Sequence, residues 1–373
     1  MKIALIGLSH PFRGGIAHYT TALQQALKQR HRCFLFGFKR QYPEFLFPGK
    51  TQKDTSQTSF QTDDSIACLD SINPLSWWQT YRQIKRYQPS HVLFSWWHPF
   101  FAPGYSVLSY LLSRHAAIPC YFLCHNVLPH EQSFLDRTLV RCAFAFSQGF
   151  VVHAEQQAEQ IRCLTKQPVW INPHPNYDCF TNSNTWERKT SRRQLQLDGK
   201  RVLLFFGLIR PYKGLSYLLE AMLQLDSNYH LLLVGEFYEP IQHYQTQLNR
   251  LQQRGQITLV DRYVANEEVG LYFTAADIFI APYIEATQSG VIQIAFSFNI
   301  PVIAARVGGL PEMIEPDKTG FLVPAKDSGA LRQAIRRFFQ QADRKLFQQA
   351  IQQRQYRFSW SHMVDTIERM MQN

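Results

Sequence analysis

Short, unbroken apolar runs alternate with amphipathic stretches of helical length along this chain. The first five runs are KIALIGL (2–8), CFLFGF (33–38), HVLFSWW (91–97), PCYFLCH (119–125) and GFVVHA (149–154). After about residue 180 the alternation restarts with RVLLFFG (201–207), YHLLLVGE (229–236), ITLVD (257–261), IFIAPY (278–283) and PVIAA (301–305). Stretches such as SYLLEAMLQL and NEEVGLYFTAA lie between them. Strands that are apolar at every position, rather than every second one, are buried on both faces, and helices between them supply the cover. The pattern therefore predicts two doubly wound α/β domains in tandem.

The restart is preceded by NPHPNYDCFTNSNTWERKTSRRQLQLDGK, rich in Asn, Pro, Ser and charge. That composition suits a domain boundary. The expected division is a first domain over 1–175, a linker over 176–200, a second domain over 201–355, and a final amphipathic helix within 356–373. Residues 39–66 read as a long surface loop.

Composition narrows the class. The 373 residues are 45% hydrophobic, ample for two cores, but no apolar run reaches the ~18–20 residues of a spanning helix. The start, MKIALIGLSH, reads better as a buried strand than as a leader, because its apolar run is short and no small-residue cleavage site follows. A cytoplasmic protein is expected. Seven cysteines are an odd count, and most sit in apolar runs, which suits reduced, buried thiols. Cys120 and Cys124 have no second Cys/His pair at zinc spacing, so no metal is expected.

The formal net charge is +11. Residues 1–180 hold 17 Lys and Arg against 10 Asp and Glu, and residues 181–373 hold 22 against 18. Such an excess fits a phosphorylated substrate, an acidic membrane surface, or solubility alone. No nucleic-acid-binding module is recognisable, so nucleic acid is not expected as a partner.

In open α/β sheets ligands bind beyond the carboxyl ends of the strands, so the strand-to-helix junctions carry the candidate chemistry. In FFGLIRPYKG, Gly207 ends a strand and Arg210 and Lys213 stand before a helix. Cations there oppose the helix dipole unless an anion joins them, and a diphosphate is the natural guest. Gly14 and Gly15 in HPFRGGIAHY form a similar loop after the first strand, without the GxGxxG dinucleotide spacing. His125 stands at a strand end in HNVLPHE, beside Asn126; His98 follows the run ending in WW. In YIEATQSGVIQIAF, Thr287, Ser289 and Gly290 suit a helix start whose N–H groups can meet an anion, and Glu285 can hold sugar hydroxyls. The paired glycines of GGLPEMI (308–314) read as a wall of the same cleft.

Taken together these segments resemble family 4 glycosyltransferases, retaining enzymes of the GT-B fold. The segments are RGGIAHY, the strand-end HN, FFGLIRPYKG, LLLVGE, YVANEEVGLYFTAADIFIAPY, PVIAARVGGLPEMI and TGFLVPAKD, in that order over nearly the whole chain. The resemblance implies two Rossmann-like domains facing across a cleft, a nucleoside diphosphate sugar held mainly by the second, an acceptor held mainly by the first, and a last helix crossing back to the first. It implies donor contacts at Gly14, Gly15, Gly207, Glu285, Thr287, Gln288, Ser289, Gly290 and Gln293. The base would lie near the backbone of Tyr263 and Val264, and the acceptor near His98 and Asn126. Catalytic parts fall to His125, Arg210 and Lys213, with no metal and no cofactor beyond the nucleotide sugar as co-substrate.

Two departures stand out. Many relatives read GRLxPxKG, whereas Leu208 occupies the arginine position here and Arg210 comes two residues later. The family's two glutamates, seven residues apart, are matched in spacing by Glu285 and Gln293. An ungapped count from Pro282 or Pro301 places Ala286 and Ile294 there instead. ATQSG resembles a variant donor loop in one branch of these enzymes.

The expected activity is transfer of a sugar with retention to a hydroxyl of a glycan, a lipid-linked sugar or a small molecule. The alternatives are a nucleotide-sugar epimerase of the same fold and a non-catalytic nucleotide-sugar-binding partner protein. The basic N-terminal half, with PLSWW (74–78) and WWHPFF (96–101), can either dock peripherally on an acidic membrane's inner face or bury those aromatics in its core.

Overall fold

The structure, a computed structural model, describes residues 1–43, 51–57, 63–129, 134–182, 185–341 and 343–372. The first part of the chain contains β1 (Lys2–Ile6), α1 (Gly15–Lys28), β2 (Arg32–Arg40), β3 (Ser65–Asp70), α2 (Pro74–Tyr87), β4 (His91–Trp96), α3 (Ala102–Tyr110), β5 (Cys120–Cys124), α4 (Asp136–Phe144), β6 (Gly149–Val152), α5 (Glu155–Arg162) and β7 (Val169–Ile171). Then follow α6 (Asp178–Asn182), α7 (Arg188–Gln194), β8 (Arg201–Phe206), α8 (Leu215–Leu223), β9 (Tyr229–Val234), α9 (Gln245–Gln253), β10 (Ile257–Val260), α10 (Asn266–Ala275), β11 (Ile278–Ala281), α11 (Gly290–Ser297), β12 (Val302–Ala305), α12 (Leu310–Met313), β13 (Gly320–Val323), α13 (Ser328–Gln341) and α14 (Arg344–Gln353). The last element is α15 (Trp360–Gln372).

The chain forms two compact units. The first holds residues up to Pro173 and the stretch from Ser359 onward; the second holds His174–Phe358, joined by Ser56 and Gln57. Each unit is built on one parallel sheet. The strand orders are β3-β2-β1-β4-β5-β6-β7 and β10-β9-β8-β11-β12-β13. In both, the winding reverses beside the unit's first strand, between β1 and β4 and between β8 and β11. A reversal of this kind opens a crevice at the carboxyl ends of the two strands.

The first sheet shows why its strands read as unbroken apolar runs. Successive side chains point to opposite faces. Ala4, Ile6, Phe94 and Phe122 pack on one side with Trp77, Tyr105 and Val140 from α2, α3 and α4. Ile3, Leu5, Leu93 and Leu123 pack on the other with Leu23 of α1 and with Met363, Ile367 and Met370 of α15. That last helix is also held by ion pairs, Arg30 to Asp365 at 2.5 Å and His31 to Glu368 at 2.8 Å.

Three strands beyond the ten expected complete the sheets: Ser65–Asp70, Val169–Ile171 and Gly320–Val323. All three lie at sheet edges; Ser65–Asp70 and Val169–Ile171 are partly solvated there and give a weak apolar signal, whereas Gly320–Val323 is short but mostly buried. Within the expected loop 39–66, residues 44–50 and 58–62 lie outside the described residues. Lys53 pairs with Phe12 in an antiparallel bridge that ties this segment to the Gly14–Gly15 loop.

Residues 176–200, read from composition as a linker, are instead built into the second unit through α6 and α7. A single carboxylate holds α7 there. Asp277, just before β11, accepts from Arg188 at 2.5 Å, Arg192 at 2.7 Å, Arg344 at 2.9 Å and the Val202 amide at 2.8 Å. The same guanidinium groups donate to the carbonyls of Ala275 and Ala276, at and just past the end of α10. Orphan carbonyls at a helix end need such donors. Removing one member of a buried ionic cluster leaves the others uncompensated, at a cost of about 3–5 kcal/mol. Asp277→Ala is therefore expected to destabilise the second unit by about 3 kcal/mol, the lower end, because Arg188 and Arg344 keep some solvent. Urea unfolding followed by circular dichroism measures it, and Asp277→Asn should recover part of the loss.

Candidate functional site

The second unit's crevice lies at the carboxyl ends of β8 and β11. Three backbone approaches fix its shape. Past β8 the chain runs beside the segment after β9: Ile209 donates to the Glu236 carbonyl at 2.9 Å, and Tyr238 donates back to that of Ile209 at 2.9 Å. Gly235 allows this contact, since a Cβ there would fall 1.9 Å from the Gly207 oxygen. Pro211–Lys213 then form one 3-10 turn closed by Gly214 in the left-handed region, at φ 67°. A Cβ on Gly214 would fall 2.0 Å from the Pro282 oxygen, so only glycine fits. The third approach is a hydrogen bond of 2.7 Å from the Ile284 amide to the Tyr212 carbonyl, joining this turn to the loop after β11.

This packing carries Lys213 inward. Its side chain is only 7% exposed. Nζ stands 3.0 Å from where a Cβ of Gly207 would be, and 5.7 Å from the centre of the Tyr283 ring. Arg210 lies across the Tyr238 ring at 4.9 Å. Among the described residues neither cation has a carboxylate partner. Burial, and then the nearby Arg210 charge, pull the Lys213 ammonium from its ordinary 10.5 down to about 7. A buried charge normally comes with a counter-charge, so this corner is a cation pair short of an anion.

The start of α11 closes the same corner. The Val291 side chain lies 3.4 Å from the Gly207 Cβ position. Ser289 caps the helix by accepting from the Ile292 amide at 3.4 Å, and its hydroxyl lies 3.4 Å from that of Tyr283. The positive end of the helix dipole thus adds to the two side-chain charges. The Gly309 amide donates to the Thr287 carbonyl at 3.2 Å, which pins the loop to the Gly308–Gly309 turn.

Helix direction separates the two readings of the glutamate positions. Val291 faces Gly207, and Gln293 stands about 200° farther round the helix. Gln293 is 0% exposed and faces a cavity with Asn176, Met313, Thr319 and Phe358. Among the described residues its amide has no hydrogen-bond partner. Gln293 is therefore not part of the Lys213 corner. Ile294 lies about 60° from Val291, and Ala286 is buried. Glu285 is exposed and Gln288 half-buried on the loop. Tyr263 and Val264 follow β10, three strands from β11 in sheet order. Tyr238, Tyr283, Gly235 and Val291 belong to the corner but were not among the predicted site residues. Of these, only Gly235, in the LLLVGE run, had a sequence signal.

The remaining candidates lie in the first unit. His125 follows β5 and is 1% exposed. Its Nε2 is 3.1 Å from the Ser95 hydroxyl, Tyr19 meets its ring edge-on at 4.4 Å, and the Gln157 amide donates to its carbonyl at 2.7 Å. His98 accepts from the Phe100 amide at 3.1 Å and so caps the turn Pro99–Phe101. Asn126 is partly exposed beside His125. Gly14 precedes α1, with open space where a Cβ would stand. Among the described residues no three His, Cys, Asp or Glu come together to hold a metal ion. Cys120 and Cys124 are buried, and Cys142 and Cys163 are exposed.

A fold of two doubly wound parallel-sheet units has solved counterparts. The Anabaena protein Alr3699/HepE in complex with UDP superposes with a TM-score of 0.76 at 17% identity, covering 100% of both chains. Sucrose-phosphate synthase from Thermosynechococcus elongatus does so with a TM-score of 0.72 at 19% identity, covering 100% of this chain and 98% of that one. The fold is therefore the GT-B type, and at these identities the likeness speaks for fold alone. Residues 200–341 match the family of glycosyl transferases group 1. The D-inositol 3-phosphate glycosyltransferase of Corynebacterium efficiens is 30% identical over 166 residues, 42% of this chain and 39% of that protein. The putative teichuronic acid biosynthesis glycosyltransferase TuaC of Bacillus subtilis is 28% identical over 247 residues, 65% of this chain and 60% of its own length. The chain thus spans about two fifths to three fifths of these curated relatives.

An anion entering the Lys213 corner favours the charged ammonium and raises its pKa from about 7. Binding above pH 7 must then take up a proton. Calorimetric titration of pyrophosphate at pH 8, in buffers of different ionisation enthalpy, should show uptake approaching one proton per anion. Lys213→Met should abolish the uptake. The unliganded protein has the opposite trend. The unfolded lysine binds more protons than the folded one between about pH 7 and its ordinary 10.5. Over that window Lys213 contributes a stability that rises with pH.

Proposed function

We propose that the chain is a retaining glycosyltransferase that moves a sugar from a nucleoside diphosphate sugar to an acceptor hydroxyl of a glycan, a lipid-linked sugar or a small molecule. The observation that carries this reading is the buried Lys213, beside Arg210 and the start of α11, without a carboxylate partner among the described residues. The family match over residues 200–341 and the UDP in the Anabaena structure support it.

The chemistry follows from where charge grows. As the glycosidic C–O bond breaks, negative charge builds on the departing diphosphate. Lys213, Arg210 and the N-terminal end of α11 stabilise that charge, in the part a metal ion plays elsewhere. The acceptor oxygen forms its bond on the face the leaving group vacates. Its proton passes to a phosphate oxygen of that group, and the sugar configuration is kept. Donor binding falls to Gly207, Thr287, Ser289 and Gly290, with Glu285 and Gln288 on the exposed loop toward the sugar and the backbone of Tyr263 and Val264 toward the base. His125, held by Ser95 and Tyr19, is a positioning residue, with Asn126 and His98 on the acceptor side.

The reading places the enzyme in the cytoplasm, in keeping with the buried thiols of Cys33, Cys68, Cys120 and Cys124, in peripheral contact with an acidic membrane. Among the described residues no helix is long and apolar enough to cross one.

A thermal-shift screen with UDP, GDP, ADP and their sugars tests the donor, since a ligand that binds only the folded state raises the melting temperature. No shift with any of them would sink the reading. With the donor identified, Lys213→Ala is expected to lower turnover by about tenfold or more while its circular dichroism spectrum is unchanged. Conversion of the donor to another nucleotide sugar without acceptor would instead indicate an epimerase.

A further inference from the structure

The first unit carries a surface whose charge is of one sign. Residues 71–129 contain no Asp or Glu. Those residues supply α2 and α3, two neighbouring helices on one face of the sheet: Gly104 of α3 lies against the Trp77 indole of α2. The next helix on that face, α4, has one carboxylate, Asp136, which is buried. Its Arg137 and Arg141 are exposed.

α2 is amphipathic in an unusual way. Its inner stripe, Trp77, Thr80, Tyr81 and Ile84, is buried. Its outer stripe runs Leu75, Trp78, Arg82, Lys85, at helical spacing. Leu75 is 72% and Trp78 50% exposed, and Arg82, Lys85 and Arg86 are exposed. Among the described residues none of these three cations has a carboxylate partner. Ile72, ahead of the helix, and Val107 and Tyr110 on α3 add further exposed apolar surface. Large apolar side chains followed along one stripe by unpaired cations match the layering of a lipid interface. Leu and Trp enter the headgroup boundary there, and Lys and Arg meet anionic headgroups.

We propose that the outer face of α2, flanked by α3 and α4, docks this protein on an anionic lipid bilayer. The inference deepens the peripheral-membrane part of the reading above by naming the surface, and it stands or falls independently of sugar transfer. A nucleic acid would meet the cations but has no place for Leu75 and Trp78. A protein partner would need a matching shape, whereas a fluid anionic surface satisfies a one-signed convex stripe without one.

Co-sedimentation of the full chain with phosphatidylcholine vesicles, with and without phosphatidylglycerol, tests it. Binding is expected only with phosphatidylglycerol and should weaken sharply at high salt. Arg82→Glu with Lys85→Glu should lower binding by roughly a hundredfold, and Leu75→Ser with Trp78→Ser by roughly tenfold, each with an unchanged melting temperature. Lys189→Glu with Arg193→Glu makes the same net-charge change on exposed residues of α7 in the second unit; binding should be unaffected. The proposal is overturned if phosphatidylglycerol vesicles do not bind, if the α7 pair costs as much as the α2 pair, or if the chain binds heparin but not lipid. Donor binding in the thermal-shift screen remains a separate readout, so failure here leaves that reading untouched.

Discussion

A buried lysine with no carboxylate partner among the described residues organises the upper end of the second unit. Left to itself, Lys213 would turn toward water. It cannot, because the turn that carries it is clamped on both sides. Gly235 lets the segment after β9 press on Gly207, and Gly214 lets the turn press on Pro282. The chain spends folding stability to hold a cation in a desolvated corner, and an incoming anion returns it. Such pre-set charge, needing no rearrangement as negative charge develops, is what electrostatic catalysis asks of a scaffold.

Much of this was legible beforehand, for definite reasons. Strands buried on both faces are apolar throughout, so the central strands of both sheets stand out in the sequence. The edge strands Ser65–Asp70 and Val169–Ile171 do not, because solvent covers part of each. Arg210 and Lys213 were visible as cations in an improbable place, before a helix. The burial of Lys213 was not, since it depends on Gly235 and Pro282, which come from other loops. The segment holding α6 and α7 looked like a tether because its arginines find their partner, Asp277, more than eighty residues later. Composition cannot see such a pairing.

Helical phase resolved two further ambiguities. Gln293 and Ile294 are adjacent in sequence, yet one faces a cavity behind α11 and the other lies toward Val291. Trp77 and Trp78 divide in the same way, one against Gly104 and one in solvent. The run WWHPFF went inward, with Trp96, Trp97 and Phe101 all buried. His98 and His125 stand where the strand ends predicted. His98 accepts from the Phe100 amide there, and His125 meets the Ser95 hydroxyl.

The first unit is not continuous in the chain. Its sheet is covered on one face by α1 and by α15, whose Met363, Ile367 and Met370 fill the same core as Ile3 and Leu5. A ribosome delivers those strands before the second unit and that helix only after it. The second unit's sheet is complete while the first still shows a bare apolar face to the nascent chain's surroundings. The N-terminal half must therefore wait, guarded or exposed, until the whole second unit has been made.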